Sequence, residues 1–453
     1  MKTPSLLCIL IILGGFAGAE ELPPPKDEGS PRIGLALAEA QALNLSLYAV
    51  DRYLIGYEWA QVSPDTIWRN LRSDWVWDQD SFAVNQLGHP YHGSLYFNAA
   101  RANGLGFYGS TLAALSGSSV WELFLETELP SKNDLVATTI GGAALGEMLH
   151  RLYQAVEPSH PLAAALLSPM DAANRALGNE GGKEAEGAIS EGELSLAAGL
   201  VDYRPALDAS RGEADRDQDI LGTFELRLAY GDPFGAASSI PYESFEQRLS
   251  LALSPSYRSI AFFSDGFLRS WALADSARRR ASLGPSLHYD LIYSSDITFS
   301  AISLGLSWKS ERGLPRGLRL RTRLHADWVA LGASEYAFLS GEEGSSDEER
   351  REYDLGTGEG AKLGLELLHP RRGALILDYA FYGFHTIPAS APEEGYEGYA
   401  MIGMLSLALE RALSPELSLG LAASLYHKSG VYEDAPDVED ATSFVNLYVK
   451  RRF

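Results

Sequence analysis

Four residues between positions 85 and 135 are of types that could carry out acid–base chemistry. They are His89, Ser94, Glu122 and Asp134. A histidine can act as a general base and a carboxylate can orient its ring, so this set predicts a catalytic site. The alternative is a buried polar network that joins glycine-rich helices, because buried polar groups need partners whether or not they react. The sequence leaves both interpretations open.

The four residues belong to a larger polar cluster, which we treat as one candidate site. Its members are Asp80, Asn85, His89, Tyr96, Arg101, Glu122, Glu126, Asn133, Asp134, Glu147 and Arg151. Glu122 and Glu126 are four residues apart, as are Glu147 and Arg151, so each pair would share a helix face. The histidines and carboxylates lack the spacing of known metal sites, so we expect neither a metal nor another cofactor.

An ordered string of residues surrounds this cluster. It begins Asp78-x-Asp80-x-Phe82-x-x-Asn85 and continues His89-Pro90-Tyr91-x-Gly93-Ser94-x-Tyr96-x-Asn98-x-x-Arg101, and it ends Gly141-Gly142-x-x-x-Gly146-Glu147-x-x-His150-Arg151. Over about residues 75–155 the string resembles the bacterial domain of unknown function DUF3943. The resemblance implies a bacterial envelope protein, and it implies no particular activity.

The elements that must position these residues are helices. Ala, Leu and Glu dominate residues 33–71, and further helical segments are predicted at 82–100, 105–124 and 131–155. Ser131 and Asp134 form an acidic variant of a capping box directly after Pro130. We therefore predict an α-helical domain over residues 33–185. No stretch in it has about 18 apolar residues without a polar interruption, so we expect no transmembrane helix.

The second half of the chain shows a two-residue period. Leu318, Leu320 and Leu324 alternate with Arg319, Arg321 and Arg323, and similar alternation recurs from about residue 192 onward. The predicted strands are 192–204, 220–231, 244–255, 257–273, 279–292, 296–309, 316–330, 354–368, 373–386, 397–410, 415–428 and 442–453. An apolar face opposite a polar face on long strands predicts an antiparallel transmembrane β-barrel of about twelve strands over residues 190–453. A soluble β-sandwich is the alternative.

The polar face of the predicted barrel provides a second candidate site. We expect the lumen to be lined by Arg319, Arg321, Arg323, His325, Asp327, Lys362 and Glu366. The three arginines could form a basic stripe that attracts an anionic solute or lipid head groups. They could equally belong to an ion-pair network that fills the lumen.

Composition and the chain ends indicate export. The net charge of −23 argues against nucleic acid as a partner. Residues 1–19 resemble a signal peptide with cleavage after Ala19, and residues 20–32 are predicted to form a flexible lead-in. The only cysteine, Cys8, lies in the leader. The terminal Phe453 resembles the signal that the barrel-assembly machinery recognises.

These patterns together predict an α+β protein of the bacterial outer membrane. We expect outer-membrane lipid and, during biogenesis, the barrel-assembly machinery as partners. The helical domain would lie in the periplasm or cap the lumen, and the protein would be a non-enzymatic envelope component or a narrow or plugged pore. One alternative is a membrane-embedded hydrolase or acyl-group enzyme acting on envelope lipid. Another is a surface protein that binds its partner through the acidic loop 331–353.

Overall fold

A computed structural model describes residues 30–179, 187–203, 216–234, 237–336, 351–391, 395–433 and 437–453. The predicted leader, most of the lead-in and most of the acidic loop 331–353 lie outside these residues. The chain forms two compact units, and the division falls between Ala188 and Ile189.

The first unit is helical. Its α-helices are α1 (Ile33–Ala49), α2 (Pro64–Asn70), α3 (His89–Ala102), α4 (Phe107–Phe124), α5 (Lys132–Val136), α6 (Gly142–Val156), α7 (Pro161–Leu167) and α8 (Pro169–Ala176). Turns of π-helix extend α1 and precede α3 and α6, at Val50–Ile55, Val84–Gly88 and Ala137–Gly141. The helix containing α3 continues through Pro90 because the π-turn before it changes the hydrogen-bonding pattern there.

Local sequence explains where these helices begin. Ser63 caps α2, and its hydroxyl oxygen accepts the Thr66 N–H at 3.2 Å. Ser131 caps α5 in the same way and accepts the Asp134 N–H at 3.2 Å. A side-chain oxygen at this position satisfies one of the free N–H groups at the start of a helix. The predicted capping role of Ser131 is therefore observed.

Helices α3 and α6 form the centre of the unit and approach each other through glycine. A Cβ atom on Gly93 would lie 1.8 Å from the carbonyl oxygen of Thr138. A Cβ atom on Gly142 would lie 2.6 Å from the carbonyl carbon of Gly93. Only glycine permits backbones to approach this closely. Almost every residue of α3 is buried, so this helix forms the core around which the others pack.

Residues Ile33–Ile55 form a continuous helical segment that is long and apolar enough to cross a membrane, by length and composition alone. Only 17% of its most apolar window is buried. The segment meets a test of length and composition only, so the expectation of no transmembrane helix stays a prediction. The interruptions at Glu39, Asp51 and Arg52 are too few to lower the hydropathy of the segment as a whole.

The second unit consists of strands. They are β1 (Ile189–Tyr203), β2 (Asp217–Tyr230), β3 (Phe245–Leu253), β4 (Arg258–Phe267), β5 (Trp271–Ser276), β6 (Arg279–Ser294), β7 (Phe299–Gly313), β8 (Arg319–Glu335), β9 (Tyr353–His369), β10 (Gly373–Thr386), β11 (Gly398–Ala412), β12 (Leu417–Tyr432) and β13 (Val438–Arg452). All neighbouring strands pair antiparallel.

The sheet closes on itself as a twelve-stranded barrel. β13 pairs with β1, from Asp202 opposite Ser443 to Glu193 opposite Arg452, and β4 pairs with β6. β5 pairs only with β6 and extends it beyond the closed ring. The fold predicted from the sequence is thus confirmed, and the β-sandwich alternative is wrong. The predicted fourth strand, 257–273, is in fact β4 followed by part of β5, where the alternation breaks.

The two faces of the strands differ as the two-residue period requires. On β12, Leu419, Leu421 and Leu425 are 40–53% exposed, while Ser418 and Gly420, which lie on the opposite face, are buried. On β13, Val445, Leu447 and Val449 are exposed in the same way. The outer surface of the barrel therefore carries a belt of large apolar side chains, and the alternate residues face the lumen.

Candidate functional site

The first candidate site lies in the helical unit, and we call it the acid cluster. It consists of Asp78, His89, Glu122, Glu126 and Asp134. His89 Nε2 lies 3.5 Å from Asp134 Oδ1, and His89 Nδ1 lies 3.1 Å from the Thr138 hydroxyl. The side chains of His89 and Asp134 are only 14% and 7% exposed. Three of the four predicted catalytic residues, His89, Glu122 and Asp134, thus lie in this cluster, and Glu122 acts electrostatically on Asp134.

Backbone and side-chain N–H groups donate hydrogen bonds to the carboxylates of the acid cluster. Glu122 accepts the Ser131 N–H at 2.7 Å, and Glu126 accepts the Trp121 Nε1–H at 3.1 Å. Asn85 donates from its Nδ2 to Asp78 at 2.7 Å. The loop before the π-turn, the C-terminal end of α4 and the start of α5 therefore converge at this cluster.

Burial sets the protonation of the acid cluster. It raises the pKa of Glu122 to about 7 and raises the pKa values of Glu126 and Asp134 well above their usual range. Burial would also raise the pKa of Asp78, but hydrogen bonds from Asp134 and Asn85 lower it to about 2. Burial therefore favours the protonated form of Asp134, whereas Asp78 favours its ionised form. The two acids share a proton, as closely placed carboxyl groups do.

The acid cluster can hold and exchange protons, but the hydroxyl group beside His89 is that of Thr138 and not that of the predicted Ser94. The Ser94 hydroxyl donates to the Tyr91 carbonyl at 2.6 Å, one turn back on its own helix. Burial lowers the pKa of His89, so this ring is neutral at pH 7. A buried polar network explains these contacts without a reaction.

The remaining charged residues of the predicted cluster form a separate triad. Arg101 Nε lies 2.9 Å from Glu147 Oε2, and Arg151 Nε lies 2.8 Å from Glu147 Oε1. None of the three side chains is more than 2% exposed. Burial would raise the pKa of Glu147, but the two guanidinium groups lower it. The single predicted cluster is therefore two, and this triad links α3 to α6.

The other members of the predicted cluster connect these two centres to their surroundings. The Tyr96 hydroxyl donates to Asn44 on α1, and Asn44 donates to the Gly117 carbonyl at 3.0 Å. The Asp80 N–H donates to Asp78 at 3.1 Å, and Asn133 accepts the Asp78 N–H at 3.1 Å. The cluster predicted from the sequence is therefore mainly a set of links between helices.

The second candidate site is a cavity in the barrel lumen, which we call the vestibule. It has a volume of about 620 Å³ and lies toward the end of the barrel that carries Ile189 and Arg452. Eight basic and eight acidic side chains are among the residues that line it. Its lining therefore carries no large excess of either charge.

The predicted arginine ladder lies in this lumen, and its members are paired with carboxylates. Arg321 donates from its Nη1 to Glu191 on β1 at 2.7 Å. Arg323 contacts Glu246 on β3 and Glu366 on β9, both at 2.7 Å. Because β8 is not a neighbour of β1 or β3, the first two of these ion pairs cross the lumen. Arg319 is 46% exposed and lies 3.7 Å from Glu311.

A hydrogen-bonded network lies deeper in the lumen than the ladder. The Ser286 hydroxyl lies 2.8 Å from His288 Nε2, and the Ser307 hydroxyl lies 2.7 Å from His325 Nδ1. His288 also lies 3.3 Å from Asp327, and its Nδ1 lies 3.1 Å from Lys362 Nζ. The side chains of His288 and Asp327 are fully buried, while His325 and Lys362 of the same layer line the vestibule.

Aromatic and aliphatic side chains fill the lumen beyond this network, at the end with the longer connections. We call this group the aromatic plug and define it as Ile292, Phe299, Val329, Tyr382, Phe384 and Ile402, all of which are buried. The rings of Phe299 on β7 and Tyr382 on β10 are 5.0 Å apart. Two other strands separate β7 from β10, so this contact spans the lumen.

Residues 74–170 match a family model described as a domain of unknown function, DUF3943. The helical unit contains a DUF3943 domain. Both the acid cluster and the arginine–glutamate triad lie within the matched residues. The resemblance over residues 75–155 is therefore confirmed.

Solved structures that resemble the chain include a porin, a transporter and an outer-membrane protein. The NanC porin is 11% identical over 56% of this chain and 98% of its own, with a TM-score of 0.28. The Pseudomonas putida toluene transporter TodX is 9% identical over 58% and 90%, with a TM-score of 0.24. OmpT of Vibrio cholerae is 6% identical over 59% and 98%, with a TM-score of 0.23. A comparison with curated protein sequences finds no match.

Sequence reasoning missed several polar contacts of the DUF3943 domain. His150 Nδ1 lies 2.8 Å from Asp171, and all but a few per cent of both side chains is buried. Asn70 donates to the Glu128 carbonyl at 2.7 Å and so fixes the loop after α4. Asn70 and Asp171 lie outside the motif string, in the short helices α2 and α8. The partner of Asn70 is 58 residues away in the sequence, and the partner of Asp171 is 21 residues away. Of these residues, only His150 belongs to the motif string.

Proposed function

We propose that this chain is an exported outer-membrane protein whose barrel is closed at rest, so that it is a non-enzymatic envelope component with a plugged lumen. One observation carries the proposal: the barrel combines an apolar outer belt with side-chain contacts that cross its lumen. The belt matches lipid, because lipid-facing residues of membrane barrels are apolar. The cross-lumen contacts leave little room for a continuous water path.

The length of the strands supports a membrane-spanning role. Ten of the twelve strands in the ring contain 14–17 residues, whereas about 9–11 tilted residues suffice to cross a bilayer. Leu409, Leu421 and Leu447 are 53–64% exposed. In water these side chains would form an apolar belt far larger than a soluble monomer normally exposes.

The connections support one orientation. The long links 204–216, 336–352 and 387–397 join strands at one end of the barrel, and the short turns 314–318, 370–372 and 413–416 join them at the other, where the longer link 231–244 is an exception. Outer-membrane barrels keep short turns in the periplasm and long loops outside. We therefore place the vestibule on the periplasmic side and the aromatic plug toward the exterior. Cleavage of the leader would leave Glu20 as the first residue, which N-terminal sequencing of the mature protein tests.

The closed state is tested by conductance of the purified protein in planar bilayers. We expect the wild-type protein to show almost no steady conductance. A variant with Phe299→Ala, Tyr382→Ala and Phe384→Ala should show discrete open channels, because it removes the rings that span the lumen. Since acidic and basic side chains line the vestibule in equal numbers, the opened channel should discriminate little between small anions and cations.

A matched control uses the other face of the same strand. Tyr379→Ala removes a ring that is 40% exposed on β10. This variant should stay as silent as the wild type. Large wild-type conductance would contradict the plugged lumen. Failure of the protein to fractionate with the outer membrane would contradict the location.

A further inference from the structure

Helix α1 has an arrangement opposite to that of a helix on the surface of a soluble protein. It buries a stripe of small or polar residues, Ala36, Ala40 and Asn44, each with no exposed area. Leu45 on the same helix is 59% exposed, and Leu54 in the π-helical turn that follows is 79% exposed. The stripe of small and polar residues is buried, whereas most of the surface of Leu45 and Leu54 is exposed.

Helix α4 repeats this arrangement. It buries Ser110, Gly117 and Ser118, while Tyr108 and Leu112 are 64% and 65% exposed. Helices α1 and α4 pack against each other through the Asn44 contact to the Gly117 carbonyl. On both helices small and polar residues are buried while Leu45, Tyr108 and Leu112 are exposed, and α4 buries Phe107 and Trp121 as well.

In water a surface helix buries its apolar face and exposes its polar face. Helices in contact with lipid do the reverse: small residues allow close packing, polar side chains bond to each other, and large apolar side chains face the acyl chains. The buried triad of Arg101, Glu147 and Arg151 at the centre of the same unit follows this second pattern. The interior of this unit therefore contains charged side chains as well as apolar ones.

Aromatic and arginine side chains lie at one end of the apolar surface. Tyr53, Tyr57 and Trp68 are 46–74% exposed. The Arg72 guanidinium lies 4.1 Å above the Trp68 ring, and Arg52 lies 5.7 Å from the centre of the Tyr53 ring. Tyr, Trp and Arg concentrate at the boundary between acyl chains and head groups, where one end of each side chain is apolar and the other is hydrated.

We propose that the exposed apolar surface of the helical unit, called the leucine face and defined by Leu45, Leu54 and Leu112, binds a phospholipid bilayer. The face enters the acyl boundary of one leaflet, and the Tyr–Trp–Arg end lies at the level of the head groups. The inference rests on the proposed function, because the barrel holds every copy of the chain in a bilayer. Only twelve residues, 177–188, separate α8 from β1.

The test places a fluorescent probe at single cysteines in the full-length protein, reconstituted into phosphatidylethanolamine–phosphatidylglycerol vesicles. Cys8 is the only cysteine, so in a Cys8→Ser background each introduced cysteine is the single site of labelling. Bimane is attached at Leu45→Cys and Leu54→Cys, at Leu421→Cys on the barrel belt, and at Ser159→Cys on an exposed polar turn. Quenching is measured with phospholipids brominated in the acyl chain and, separately, with aqueous iodide.

We expect the probes at residues 45 and 54 to be quenched by brominated lipid to about the extent of the probe at 421, and several-fold more than the probe at 159. If the probe at 421 is quenched by lipid and those at 45 and 54 only by iodide, the inference is overturned while the barrel proposal stands. Quenching of 45 and 54 by neither agent shows that protein covers the face, which also overturns it. A probe at 421 reached only by iodide overturns both proposals.

Discussion

Replacing Glu122 by glutamine should make the stability of the helical unit less sensitive to pH. Burial raises the pKa of Glu122 from 4.5 to about 7 in the folded chain. An acid whose pKa is raised on folding supports the fold fully below pH 4.5, and that support is lost as the pH rises through 7. Glutamine cannot ionise, and its side-chain oxygen can still accept the Ser131 N–H, which lies 2.7 Å from Glu122.

The size of the effect follows from the change in pKa. One pKa unit corresponds to about 1.4 kcal/mol, so ionising Glu122 costs the folded state about 3 kcal/mol at high pH. Most of this, roughly 2 kcal/mol, develops between pH 5 and pH 8. Because Glu122 is only 1% exposed, solvent screens little of it. Glu122 contributes to the raised pKa values of Glu126 and Asp134, so the comparison measures the ionisation of Glu122 together with its coupling to these two acids.

The assay is urea denaturation at pH 5, 6, 7 and 8, followed by circular dichroism at 222 nm. Within the described residues, all helices except the turn Pro315–Gly317 lie in the first unit, so this signal reports that unit. The advantage of Glu122→Gln over wild type should grow with pH, whereas Glu128→Gln, at an exposed carboxylate nearby, should change little. Parallel curves for wild type and Glu122→Gln would refute the reasoning.

Three further substitutions test the packing and the ion pairs. Gly93→Ala should destabilise the helical unit by roughly 3 kcal/mol, because its Cβ would lie 1.8 Å from a carbonyl oxygen, whereas Gly34→Ala, with no atom within 4 Å, should be tolerated in the same urea assay. Glu147→Gln should cost about 3–5 kcal/mol, since two buried guanidinium groups lose their charge partner; an unchanged urea midpoint would contradict this. Lys309→Met should lower the temperature at which the barrel loses its compact gel mobility, while Arg319→Met, at a 46% exposed side chain, should leave it unchanged.

The barrel was largely predictable because its signal is local. A two-residue period indicates which side chains face outward. The predicted strand 373–386, for example, coincides with β10. The prediction failed where the period fails: Asp265 and Arg269 share a parity with Phe263 and Phe267, so one long strand was predicted where the chain bends from β4 to β5. The sequence also could not give the partners of Arg321 and Arg323, because Glu191 and Glu246 come from strands across the lumen.

The helical site was predictable only in part. The i,i+4 spacing of Glu147 and Arg151 gave their contact directly, and it is observed at 2.8 Å. Arg101 follows His89 by twelve residues, which is about 120° around a helix, so it lies on a different face and joins a different group. The proximity of His89 to Asp134, in contrast, depends on how the turn before α5 packs against α3. No spacing in the sequence encodes that arrangement.

Both units expose large apolar side chains and bury charged ones, but with different sequence periods. In the barrel, every second residue is apolar and faces outward, while charged side chains such as Lys309 and Asp327 are buried inside. In the helical unit, the Leu-rich sides of α1 and α4 face outward, while Arg101 and Glu147 are buried inside. Each arrangement is unfavourable in water, since it exposes large apolar side chains and removes charges from solvent. Both become favourable when lipid replaces water at the outer surface, and this shared requirement argues that both units contact a bilayer.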